Sequence, residues 1–289
     1  MINEPGVYDI SHDEYHSDPC CEPSLSRSTI KDLIYRSPAH AKWNHPRLNP
    51  NFKPEENGKF DIGLASHSIL LEGINNVAVI EADDWRTKAA REAREEARKE
   101  GKTPLLRNQF TDVLAMVTMV ESQIMDCKEL GIRNLQADGD SEQSFFWKED
   151  ETWLRSRTDW ISKDRKLILD CKFTDMSVNP SDISRYILNM GLDIQAALYC
   201  RGAEKVTGIK PKLVFVFVEI SEPFICSFVS LPPEFMELGK SKVEYGIWQW
   251  RQCMKTGEWP GYPNQVVYPD LPGWALTAWE SKAEMVGIG

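Results

Sequence analysis

The sequence lacks any apolar run long enough to cross a bilayer as a helix. Its most apolar stretch, LVFVFV at residues 213–218, falls far short of the roughly 20 residues required. The first residues, MINEPGVYDI, carry acids and turn formers where a secretory signal would carry an apolar core, so no signal is expected there. The glycine patterns GxxxxGK[ST] and GxGxxG are missing, which argues against an ATP-driven motor and against a dinucleotide enzyme. The seven cysteines, at 20, 21, 127, 171, 200, 226 and 253, are odd in number and show no CxxC spacing. They suit neither a disulfide framework nor a zinc ribbon, and read as reduced thiols of a soluble, cytoplasmic protein. An excess of positive charge is missing too. The formal net charge is −10, so any nucleic-acid function has to reside in a local basic site rather than in the surface as a whole.

What is present is ample core material: 42% of the 289 residues are hydrophobic and ten are Trp. The first 60 residues read as irregular and rich in Pro, Asp and Ser. They hold one helix (SLSRSTIKDLIYRSP), with Ser26 or Ser28 as N-cap and its end before Pro38. Helices are expected over 61–72, where Ile62, Ala65 and Ile69 recur at helical spacing, and over 85–102, a charged segment ended by Gly101. Another is expected over about 107–130, with Phe110, Leu114, Val117, Val120 and Ile124 on one stripe. From residue 143 the period changes to that of strands. QSFFWK, TWLRSRTDWI and KLILDCKF are separated by short turns and predict antiparallel hairpins. A helix over about 181–203, strands over 212–220 and 224–231, and a helix over 232–257 follow. The expected fold is α/β: one domain with a mainly helical N-terminal portion (1–130), a mixed core (140–257) and an irregular C-terminal tail (258–289).

The chemistry concentrates in LILDCKF. Side chains alternate along a strand, so Asp170 and Lys172 share a face about 6 to 7 Å apart, while Leu169 and Cys171 point into a packed layer. On the preceding strand Arg155, Arg157 and Asp159 share a face, opposite Leu154 and Trp160. A turn centred near 164 or 165 would set 159 against about 170. Two carboxylates that close repel unless one is protonated or a divalent cation lies between them, and Mg²⁺ favours such a site. A neighbouring lysine can orient a water and stabilise developing negative charge, so the set suits phosphodiester hydrolysis. His67, with Gly63 one turn earlier leaving space beside it, is a candidate ligand. Gln195 and Tyr199 stack on one helix face, where they could hydrogen-bond a phosphate or a base.

In order, these motifs resemble the PD-(D/E)XK nuclease superfamily, specifically its RecB-like branch with the RecE-like (exonuclease VIII) nuclease domains. They are Gly63-x-x-x-His67 followed by LLEG, then Asp159, then Asp170-Cys171-Lys172, then Gln195-x-x-x-Tyr199. LSRSTIKDLIYRSPAH, 25–40, is similar to the opening helix of the RecE-like members. The resemblance implies a restriction-endonuclease-like core, a mixed central sheet whose three-strand antiparallel meander is flanked by helices. It implies an Mg²⁺-dependent exonuclease, with Mn²⁺ as substitute and no ATP. Such an enzyme degrades double-stranded DNA from its ends 5′→3′, as a homo-oligomeric ring of phage type. It leaves 3′ strands for a RecT-type annealing partner in DNA recombination. His67, Asp159, Asp170 and the Cys171 backbone carbonyl would be metal ligands, Lys172 would position the water, and Gln195 and Tyr199 would support them. Residue 158 is Thr where the name motif has Pro, a variable position in this branch. Only Cys253 lies far toward the C-terminus, so no iron–sulphur cluster is expected. Arg157 is a candidate phosphate contact or else a surface ion pair, and Arg36 a candidate for the 5′ end. Glu142, just before the first strand, reads as an exposed strand-edge acid or a supporting residue. The rival functions are an endonuclease on the same fold and a DNA-binding or assembly module without turnover.

Overall fold

The structure, a computed structural model, describes residues 1–53, 61–73 and 76–287, with the Asp61 side chain outside that set. The first part of the chain forms β1 (Gly6–Tyr8), α1 (His12–His16), α2 (Arg27–Tyr35), α3 (Pro38–Trp43), α4 (Asp61–Glu72), β2 (Val77–Ile80), α5 (Lys88–Lys99), β3 (Thr103–Leu106) and α6 (Arg107–Asp126). Then come α7 (Leu135–Asp138), β4 (Gly139–Glu149), β5 (Thr152–Ser162), β6 (Leu167–Thr174), α8 (Ile183–Met190) and α9 (Leu192–Thr207). β7 (Lys212–Glu219), β8 (Cys226–Ser230), α10 (Pro233–Thr256) and α11 (Gly273–Met285) complete it. Six strands form one mixed sheet in the order β1-β4-β5-β6-β7-β8; β2 and β3 pair separately. β4, β5 and β6 are the antiparallel meander, and among the described strands of the large sheet only β6 and β7 run parallel. A parallel pair needs a crossover, here made by α8 and α9.

The alternation of β7 shows how the sheet is covered on both faces. Phe215 and Phe217 enter a cluster with Ile30 of α2, Ile194 and Leu198 of α9, and Val243 and Ile247 of α10. Val214, Val216 and Val218 enter a second cluster with Leu70 of α4 and Val117, Val120 and Ile124 of α6. A strand buried on both sides reads as a continuous apolar run, which explains LVFVFV. The meander turn is held locally: the Ser162 hydroxyl accepts from the amides of Lys166 at 3.1 Å and Leu167 at 3.0 Å, and Arg165 takes φ of 61°.

Several elements depart from the sequence expectation. The helix expected over 181–203 is two, because Gly191 adopts φ of 65° and its N–H caps α8 on the carbonyls of Ile187 and Leu188. Beyond the helix after Ser26, whose hydroxyl accepts from the Thr29 amide at 3.4 Å, the first 60 residues also contain β1, α1 and α3. β1 adds an edge strand against β4, and Ile2, Tyr15 and Cys20 pack with Phe146 and Trp153 on the sheet face there. The tail expected to be irregular carries α11, a helix with no buried residue. No described helix is long and apolar enough to cross a membrane.

Candidate active site

The site forms where two ladders of the sheet are interrupted at the same place. β4 pairs with β5 on both sides of Glu142 and Asp159, through Ser141 with Trp160 and Gln143 with Thr158, but these two residues do not pair. Glu142 sits at φ of 54°, a left-handed conformation uncommon for a side chain other than Gly, Asn or Asp. On the other side, β5 pairs with β6 through Ile161 with Ile168 and Trp160 with Leu169. One step further the register would set 159 against 170. The Asp159 carboxylate instead accepts the Cys171 amide at 2.7 Å, which ends the ladder and holds the acid at the opening.

The interruption also corrects the parity expected along β5. Leu154 lies in the cluster beneath α9 and α10, whereas Trp160 lies in the cluster beneath α4 and α6. The strand changes face between them, at the site. Arg157 and Asp159 nevertheless line the same cleft. Arg155 is buried against Asp18 (2.8 Å) and the Ser24 carbonyl (3.0 Å), away from the cleft.

Six candidates meet at this opening. His67 reaches in from α4 with Nε2 2.9 Å from Asp159 Oδ2 and Nδ1 3.3 Å from Glu142 Oε1. Asp170 is fully buried; its two carboxylate oxygens take Lys172 Nζ and the Gln195 amide of α9. Tyr199, one turn on from Gln195, lines the cleft with His67, Glu142, Arg157, Asp159, Cys171 and Lys172. The Cys171 side chain is packed with Leu169 in the second cluster, so only its backbone faces the acids. A Cβ at Gly63 would meet just Phe173 Cβ at 3.8 Å, so this glycine opens the cleft wall rather than making room for the imidazole.

Arg157 lines the cleft, but its guanidinium is engaged: Nε donates to Glu142 at 2.5 Å, and Nη1 to the Ile10 carbonyl (2.7 Å) and the Ser144 hydroxyl (2.9 Å). Arg36 lies elsewhere, at the end of α2, half exposed and paired with Asp32. Its surroundings are a separate concavity with Trp43, Asn44 and Lys53. Glu142, read from sequence as exposed or supporting, has only 15% of its side chain exposed and joins the cluster. Sequence reading passed over His12, Tyr15, His16 and Tyr186, which also line the cleft. Tyr186 lies just before Gly191, the break that was not foreseen. The others lie on an element too short to show a period.

Electrostatics couple these groups. Burial and the neighbouring Asp159 push Asp170 up to about 6, against the opposing pull of Lys172. Burial would lower His67, but Asp159 and Glu142 outweigh it and raise it to about 9. Burial would raise Asp159, but His67, Lys172 and the Cys171 amide hold it below the usual range. Glu142 is raised by burial and by Asp159. Lys172 would be lowered by burial but is raised by Asp170 and Asp159. Three acids thus share two cations and an arginine. Ligand atoms of His67, Glu142 and Asp159 lie within 4.8 Å of one another. Oxygen and imidazole donors this close, two of them acidic, fit a divalent cation.

The comparisons agree with this fold. A crystal structure from Eubacterium rectale, described as a "Putative exonuclease", matches with a TM-score of 0.61 at 14% identity, over 94% of this chain and 99% of that one. A structure described as SSO0001 aligns at a TM-score of 0.28 and 12% identity, over 72% of this chain and 97% of that one, too low to carry an argument. No curated protein matches. Residues 26–271 match the family described as a PDDEXK-like domain of unknown function (DUF3799), and the chain belongs to that family.

Proposed function

We propose that the protein is a metal-dependent, ATP-independent exodeoxyribonuclease that digests linear double-stranded DNA. The observation that carries this reading is the convergence of Asp159, Asp170 and Lys172 at one break in the sheet, with His67 and Gln195 bonded to the two acids. Membership of a PDDEXK-like family and a fold shared with a protein described as an exonuclease support it.

His67, Asp159, Asp170 and the Cys171 carbonyl would hold Mg²⁺, with Mn²⁺ as substitute. The bound cation would polarise the phosphoryl oxygen and neutralise its developing charge. Lys172, a quarter exposed and anchored on Asp170, reaches the cleft as a cation that orients the attacking water. Gln195 fixes the carboxylate of Asp170 by donating to its second oxygen. Tyr199 walls the cleft on the same helix face, its phenol held neutral by burial.

The RecE-like order of the motifs supports 5′→3′ polarity, 3′ single strands as product for a RecT-type annealing partner in recombination, and a phage-type homo-oligomeric ring. Linear duplex and covalently closed circular DNA, incubated in parallel with Mg²⁺, test the exonuclease reading. Linear DNA should be degraded and closed circles left intact. Nicked or cut circles would make the protein an endonuclease, and binding without cleavage a DNA-binding module.

A further inference from the structure

One relay in the cleft joins Glu142 and Arg157, which belong to no motif of the sequence, to His67 and Asp159, which do. Arg157 Nε donates to Glu142 Oε2, Glu142 Oε1 lies 3.3 Å from His67 Nδ1, and His67 Nε2 lies 2.9 Å from Asp159 Oδ2. The imidazole is thus gripped at both nitrogens, and only the Nε2 side faces the acid that pairs with the DxK strand. Glu142 reaches this place by a left-handed backbone in mid-strand, where the β4–β5 ladder skips it. A metal-binding imidazole commonly donates its other N–H to a carboxylate, which fixes the tautomer and the ring plane.

We propose that Glu142 is a positioning residue: it accepts the Nδ1–H of His67 and thereby reserves Nε2, beside Asp159, for the metal, while Arg157 fixes Glu142 in turn. The role rests on the metal-dependent reading above. It gives Arg157 a structural task, consistent with the three protein acceptors of its Nε and Nη1.

The isosteric variant Glu142→Gln is diagnostic. Arginine can only donate, so the new amide turns its carbonyl to Arg157 and its NH₂ to His67 Nδ1. That nitrogen must then accept, the proton moves to Nε2, and the metal-binding lone pair is lost. Mn²⁺ binding measured by calorimetry should weaken 10- to 100-fold in Glu142→Gln, as in Glu142→Ala. In a His67→Ala background the same Glu142→Gln change should alter the affinity less than about 2-fold, since its effect passes through His67. In long-range ¹H–¹⁵N spectra of the Mg²⁺-saturated protein, His67 should carry its proton on Nδ1, and on Nε2 in Glu142→Gln.

Unchanged Mn²⁺ affinity in Glu142→Gln would overturn the inference. So would a loss that persists undiminished without His67, which would make Glu142 a direct ligand. Because these readouts require no turnover, tight Mn²⁺ binding without DNA cleavage would sink the nuclease reading and leave this one standing. Cleavage with a silent Glu142→Gln variant would do the reverse.

Discussion

Metal binding should be steeply pH-dependent, with His67 responsible. In the metal-free site the imidazole faces two carboxylates and is held protonated up to about pH 9. A cation can take Nε2 only after that proton leaves, so binding releases a proton throughout the neutral range. From pH 6.5 to 8.5 the neutral fraction of a group titrating near 9 rises from roughly 0.3% to roughly 25%. The apparent Mn²⁺ affinity should therefore increase about 100-fold over this window, close to one decade per pH unit. Asp170, titrating near 6, adds less than about a factor of two in the same range. His67→Ala should bind more weakly overall yet lose nearly all of the slope. Calorimetric titration with Mn²⁺ at four or five pH values, in two buffers of different ionisation enthalpy, gives both affinity and proton release. An affinity that is flat across this window in the wild-type protein would refute the reasoning.

The same imidazole bears on stability. Its folded pKa lies above the ordinary 6.5, so its contribution is fully present below pH 6.5 and is lost as pH rises toward 9, at most about 3 kcal/mol. The melting temperature of metal-free protein should accordingly fall over that range relative to His67→Ala. Lys172→Ala should bind Mn²⁺ at least as well as the wild type, because a cation beside the site is removed, yet fail to release nucleotides from linear duplex; retained cleavage would take Lys172 out of the mechanism. Gly202→Ala places a Cβ 2.4 Å from the buried Trp147 ring. It should cost about 1–3 kcal/mol in urea unfolding, with Mn²⁺ binding unaffected.

The parts legible in sequence were those with a period or a motif. The meander could be read from QSFFWK, TWLRSRTDWI and KLILDCKF because alternation and short turns persist over three strands. The turn centre near 164–165 also gave the right register, since 160 pairs with 169. What could not be read was the break in that register. Glu142 shows no Gly or Asn signature for its φ of 54°, so the change of face along β5 was invisible, and with it the place of Glu142 in the cluster. Gly191 sits inside an otherwise helical pattern, where a single glycine does not mark a break; its left-handed backbone splits α8 from α9. β1 and α1 hold three and five residues, too few for a periodic signal. Yet α1 supplies His12 and His16 to the cleft wall. Arg157 lines the cleft, but a sequence cannot tell that its Nε and Nη1 already donate within the protein.

The central claim, metal-dependent cleavage from DNA ends at this cleft, is tested most directly with linear duplex labelled separately at its 5′ and 3′ ends. The wild-type protein and a folded Asp170→Ala variant are each incubated with and without Mg²⁺. Early release of the 5′ label with Mg²⁺, retention of the 3′ label, and no release by Asp170→Ala or without metal is the predicted result. Release of either label without a divalent ion, or by Asp170→Ala at the wild-type rate, would contradict it.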